Sequence, residues 1–140
     1  MNSQLLNKNK TSTIFHRISL IELIARIGVF GTFLGHGIVA IGINPKWIPL
    51  LTSFGFSGEQ AVFIMPFIGV LDIIVALLIL IYPIRIILFW AVLWAFLTAL
   101  SRPVSGDSFL DFFERSSNWV LPLVLLMMRY YPKYHPKIIV

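Results

Sequence analysis

Apolar residues fall into long blocks along this chain instead of alternating with polar ones. Residues 20–43 form the first block, with Glu22, Arg26 and His36 as its ionisable members. Residues 62–81 form the second, with Asp72 near the middle, and residues 84–100 are apolar almost throughout. A mostly apolar stretch of about 18 residues or more is the length that crosses a bilayer core as a helix. The pattern predicts an all-α integral membrane protein.

Punctuation between the blocks sets the expected spans. Asn44-Pro45 stops the first, because proline restricts its predecessor and cannot continue helical hydrogen bonding. Residues 46–60 then read as an interfacial connection with Trp47 at headgroup depth. Ser57 with Gln60 three residues on predicts a capping box opening the second helix. Pro83 marks a tight turn, and Ser101-Arg102-Pro103 is expected to close the third span. Residues 111–114, acids around two phenylalanines, suit a short surface helix.

The last block is shorter. Residues 118–128 give only 11 apolar-type positions before Arg129. Trp119 and the tyrosines 130, 131 and 134 bracket a rise of about 22 Å, enough for most of the hydrocarbon if Arg129 snorkels. The alternative is an interfacial or re-entrant segment broken at Pro122. The expected layout is therefore a polar cytoplasmic segment, 1–19, and one transmembrane domain, 20–134. Its spans fall at about 20–43, 61–82, 84–100 and 117–134, as a four-helix transmembrane bundle.

Basic residues support four spans. The N-terminus, the turn at Arg85 and the C-terminus would share a side bearing Lys8, Lys10, Arg17, Arg85, Arg129, Lys133 and Lys137, against Lys46, Arg102 and Arg115 opposite. Seven against three places both termini in the cytoplasm by the positive-inside rule, in a bacterial inner membrane. Three spans would erase that bias.

Composition narrows the function classes. Of 140 residues, 58% are hydrophobic and only 12% charged, with a mean hydropathy of +0.88, where a soluble domain has about a quarter charged. The net charge of +5 lies largely in flanks of the apolar blocks, where anionic lipid headgroups account for it, so the bilayer and not nucleic acid is the expected partner. With no cysteine, thiolate catalysis, iron–sulfur ligation and disulfides are excluded. No Gly-rich phosphate loop, HExxH or GxSxG is present.

The buried ionisable groups are where function is expected. At about 100° per residue, Arg26, Val29, Phe33 and His36 lie about +40°, −20°, +20° and −40° from Glu22, which makes one stripe. Gly28, Gly31, Gly35 and Gly42 lie on the opposite side, a face that lets a neighbouring backbone approach. Glu22 and Arg26 have the spacing of an intrahelical pair. Arg26 is nevertheless expected to bridge to Asp72, a link that either fixes packing or organises a buried polar pocket of Glu22, Arg26, His36 and Asp72. His36 reads either as a packing histidine satisfied by a neighbouring helix or as a group that donates to a quinone carbonyl or relays a proton, with haem ligation in last place; one histidine makes no metal set. Arg102 and Asn118 are candidates for capping the outer mouth of a pocket reaching His36.

Arg26-Ile27-Gly28, then Phe33-Leu34-Gly35-His36-Gly37, an acidic residue in span two and a final span opened by Asn118-Trp119 resemble the DoxX/DoxD-type membrane proteins, over roughly residues 20 to 130. The resemblance implies four short spans, the family arginine at Arg26 and the family glycine at Gly28. Members include a small subunit of a thiosulfate:quinone oxidoreductase and components linked to oxidative-stress systems. Residues 109–118 match no known catalytic motif. A small quinone-associated redox accessory subunit, with a membrane or peripheral redox partner or in a homo-oligomer, is the leading expectation. A transporter or lipid-handling protein and a structural subunit are the alternatives, and whether the chain is an enzyme stays open.

Overall fold

The computed structural model describes residues 2–130, with side chains described from residue 19 onward. Among the described residues there are helices and no strands. Helix α1 spans Asn2–Ile41, a single 3-10 turn follows at Pro45–Trp47, and α2 covers Ile48–Thr52. The chain continues through α3 (Gly58–Ile81), α4 (Arg85–Val104), α5 (Phe109–Glu114) and α6 (Ser116–Tyr130). The polar segment before residue 20 therefore continues the helix of the first apolar block.

Local sequence explains most boundaries. Ser57 accepts from the Gln60 N–H at 3.2 Å while the Gln60 side chain accepts from the Ser57 N–H at 2.9 Å, so the expected capping box opens α3. Helix α3 stops at Ile81, before Pro83, and α4 starts two residues after it. The short helix expected among the acids and phenylalanines is α5, with the Ser108 hydroxyl accepting from the Leu110 N–H.

Two boundaries differ from expectation. Helix α4 runs through Ser101, Arg102 and Pro103 to Val104, because Pro103 falls in the last turn, where its missing N–H leaves only the Ala99 carbonyl unpaired within the helix. Helix α1 ends at Ile41, two residues short of the expected limit, and Ile43 turns out of it with φ of +50°.

Three helices, over Ser19–Ile41, Gly58–Ile81 and Arg85–Val104, are long and apolar enough to cross a membrane. Only 28%, 33% and 28% of their most apolar windows are buried inside the chain, so most of that apolar surface needs a non-aqueous surrounding. Phe63, Phe67 and Phe89 face outward as part of it. The fourth block forms α6, an apolar helix of 15 residues with Pro122 inside it. Tyr131 and Tyr134, two of the three tyrosines expected at its far end, lie outside the described residues.

Helix α1 packs on both α3 and α6, α6 packs on α4, and α4 meets α3 only sparingly. A core of Val29, Phe33, Val75, Ile79, Leu88 and Leu125 fills the middle. Helices α1 and α3 cross antiparallel at Gly37 and Gly69. A Cβ on Gly37 would stand 2.7 Å from the Gly69 carbonyl oxygen, and one on Gly69 would stand 2.5 Å from that of Gly37. The expected glycine face behaves differently. Gly28 meets the tip of Leu121 on α6, whereas Gly31 and Gly35 have nothing within 4 Å of an added Cβ. The glycines that bring two backbones together are those pointing inward.

Candidate functional site

The sparse α3–α4 contact leaves a cavity of about 430 Å³ between α1, α3 and α4. Helix α2, with Leu50 and Leu51 in the wall, and the start of α6 enclose the end near the 3-10 turn, here termed the capped end.

The polar stripe of α1 faces inward, since Val29 and Phe33 are buried and Glu22, Arg26 and His36 are half-buried beside them. Its members nonetheless part into two sites. His36 lines the cavity and meets Trp47 edge-on, with ring centroids 5.6 Å apart. Asp72 lines it from α3 and is 4% exposed, its Oδ1 buried without a hydrogen-bond partner. The indole of Trp94 on α4 approaches the same carboxylate. Arg102 and Asn118 also line this cavity, at its capped end.

Glu22 and Arg26 lie elsewhere, toward the Pro83 end of the bundle. Arg26 donates to Oε1 of Glu22, as the four-residue spacing suggests, and Arg129 of α6 donates to the same oxygen at 2.9 Å. Arg129 also stands over the Tyr82 and Tyr130 rings, each centroid 5.9 Å from its guanidinium carbon. The Tyr130 hydroxyl donates to the Pro83 carbonyl at 3.0 Å, tying the end of α6 to the α3–α4 turn.

The expected Arg26–Asp72 bridge is therefore not formed; Arg26 pairs with Glu22. The reason is axial register. With Gly37 and Gly69 level at the crossing, Asp72 comes opposite Leu34 and Arg26 opposite Leu80. The two charges are then about 12 Å apart along the bundle. A helical wheel fixes azimuth on one helix and says nothing of height on its neighbour.

Sequence reasoning missed three contributors. Trp94 carried no signal beyond being an indole in mid-span. Arg115 was visible as a basic residue of a polar loop, and only the fold turns it into the cavity wall. Arg129, expected to snorkel, also closes an interhelical ion cluster that the sequence did not show. Among the described residues no group of His, Asp and Glu is disposed to hold a metal ion.

The wall is apolar along its length and polar at two places: at depth Phe33, Trp94 and Met65 surround one carboxylate, and at the capped end Arg102, Arg115 and Asn118 stand beside Trp47, Leu50, Leu51 and Phe54. Such a surface holds a molecule with an apolar body and a polar end. Comparison of the chain with family models, with curated proteins and with solved structures gives no match.

Proposed function

We propose that this is a small multi-pass membrane protein that takes up one membrane-borne amphiphile in the cavity between α1, α3 and α4, as a lipid-handling subunit. The observation that carries the reading is a mostly apolar and aromatic wall whose basic and amide side chains, Arg102, Arg115 and Asn118, gather at the capped end. A volume of about 430 Å³ lies within the range of small-ligand sites.

The proposal includes α6 as a fourth span, which makes a four-helix bundle with both termini in the cytoplasm of a bacterial inner-membrane protein. The seven-to-three division of basic residues supports it, as does the packing of α6 along α4 and α1. Membership of the DoxX/DoxD-type proteins belongs to the same proposal, supported by the residues around Arg26 and His36. A homo-oligomer or a redox partner would complete the unit.

A second reading, the quinone-associated redox subunit, has its own support. His36 and Asp72 come from different helices to the same cavity beside Trp94, and could flank a ring with a donor and an acceptor.

The test is the organic extract of protein purified in nanodiscs. About one amphiphile per chain is expected, and it should be lost on Thr98→Phe, which fills the cavity from α4. Equal content in parent and variant would overturn the reading. A quinone spectrum in the extract that disappears with His36→Phe would favour the second reading over the first.

A further inference from the structure

We propose that the occupant is an anionic amphiphile, its carboxylate- or phosphate-type head between Arg102 and Arg115 and its apolar chain lying along α4 toward Trp94. The inference rests on the amphiphile reading above and adds the charge of the head and the direction of the chain.

The first support is a division of charge at the capped end. Arg102, Asp107, Asp111, Glu114 and Arg115 lie close in sequence, yet only the two arginines line the cavity. Their carboxylate partners point to the surroundings. Asp107 lies 3.4 Å from Arg102 with its side chain 44% exposed, and Glu114 lies 3.3 Å from Arg115 with its side chain 74% exposed. Contacts of that length and exposure hold their partners only weakly. Both use the Nη1 atom alone, so the remaining edge of each guanidinium can take an anion with two parallel hydrogen bonds. A further bond from Arg115 Nη1 to the Asp111 carbonyl, at 3.0 Å, fixes where that arginine points.

The second support is the wall below. Thr98 and Ser101 line it, but their hydroxyls donate to the Ala95 and Thr98 carbonyls at 3.0 and 2.7 Å. Turned onto their own helix, they leave methyl and methylene surface toward the cavity beside Met65, Ile68 and Ala95. Among the lining residues the one carboxylate is Asp72, beside Trp94. Trp94 is eight residues from Arg102, about 12 Å along α4, so the acid stands at the far end of the chain and not beside the head.

The test is tryptophan quenching in nanodiscs by decanoic acid bearing a terminal bromine, against the matching bromodecanol. The acid should quench saturably and bind at least about tenfold more tightly than the alcohol, the difference expected for charge-assisted hydrogen bonds. Trp94→Phe should remove most of the quenching, because the bromine ends beside that indole. Arg102→Gln with Arg115→Gln should bring the acid down to the affinity of the alcohol. If that double variant does not fold, Arg115→Gln alone tests the same point with a smaller loss, since its partner Glu114 is solvent-facing. Equal affinity of acid and alcohol for the parent would overturn the anionic head while leaving the amphiphile cavity standing. No saturable quenching by either would sink the amphiphile reading itself. Tight acid binding that survives the arginine variants would move the head elsewhere.

Discussion

Glu22 on α1 and Arg129 on α6, 107 positions apart in sequence, meet at 2.9 Å, and the same carboxylate oxygen also receives Arg26. One acid thus holds two cations from two helices near the Pro83 end of the bundle. With side chains only about a quarter exposed, the cluster is shielded enough to contribute to the α1–α6 contact, and too charged to lose its acid without consequence.

Glu22→Gln should therefore destabilise the protein by about 1.5–3 kcal/mol, the usual worth of hydrogen bonds to charged groups. In a double-mutant cycle, Glu22→Gln and Arg129→Gln should couple by about 0.5–3 kcal/mol. Arg26→Leu and Asp72→Leu should add independently, because those residues are not partners. Thermal unfolding in detergent measures all of these. Strong coupling between Arg26 and Asp72 would contradict the register described above.

The Gly37–Gly69 crossing makes a sharper prediction. A methyl on either glycine meets the other's backbone oxygen at 2.7 or 2.5 Å, and backbone cannot rotate aside as a side chain can. Gly37→Ala and Gly69→Ala should each cost about 1–3 kcal/mol by overpacking. Gly31→Ala and Gly35→Ala, with open space around them, should be neutral or slightly stabilising. The four melting temperatures decide it; uniform losses would mean that the outward glycines also have a partner.

How much of this was legible in the sequence follows from the range of each interaction. The capping box at Ser57, the turn at Pro83 and the Glu22–Arg26 pair are set within a few residues, and local chemistry was enough to find them. The inward stripe of α1 was legible because one helix carries its own azimuth. The partners of Arg26 and Asp72 were not, since they depend on the height at which α1 and α3 cross. Gly37 and Gly69 set that height, and nothing in either segment alone says that they meet. The candidate residues of α1 consequently divide between two ends of the bundle.

At Ile43 backbone strain and side-chain packing oppose each other. The residue carries a φ of +50° in the turn between α1 and Pro45, a region that costs a β-branched residue about 1–2 kcal/mol. Its side chain is half-buried, so its removal sacrifices some packing. Ile43→Gly relieves that strain but loses side-chain packing and adds chain entropy, so it should leave stability within about 1 kcal/mol of the parent. Ile43→Ala, which loses packing and keeps most of the strain, should be clearly destabilised. An equal loss on both would show that packing of this side chain outweighs the strain in its backbone.

Topology can be tested without first removing native thiols, because the chain has no cysteine. Single cysteines at Ser3, Ser108 and Ile139 sample the N-terminus, the loop before α5 and the C-terminus. If α6 spans, a membrane-impermeant maleimide applied to intact cells stripped of their outer membrane should label Ser108→Cys at once. Ser3→Cys and Ile139→Cys should react only after permeabilisation. Helix α6 has 15 residues and a rise of about 22 Å, so crossing requires Arg129 to keep its charge near the interface. Its pairing with Glu22 and its place over the Tyr82 and Tyr130 rings suit that position. Labelling of Ile139→Cys from outside, with Ser3→Cys protected, would leave three spans and turn α6 into a helix lying along the others without crossing.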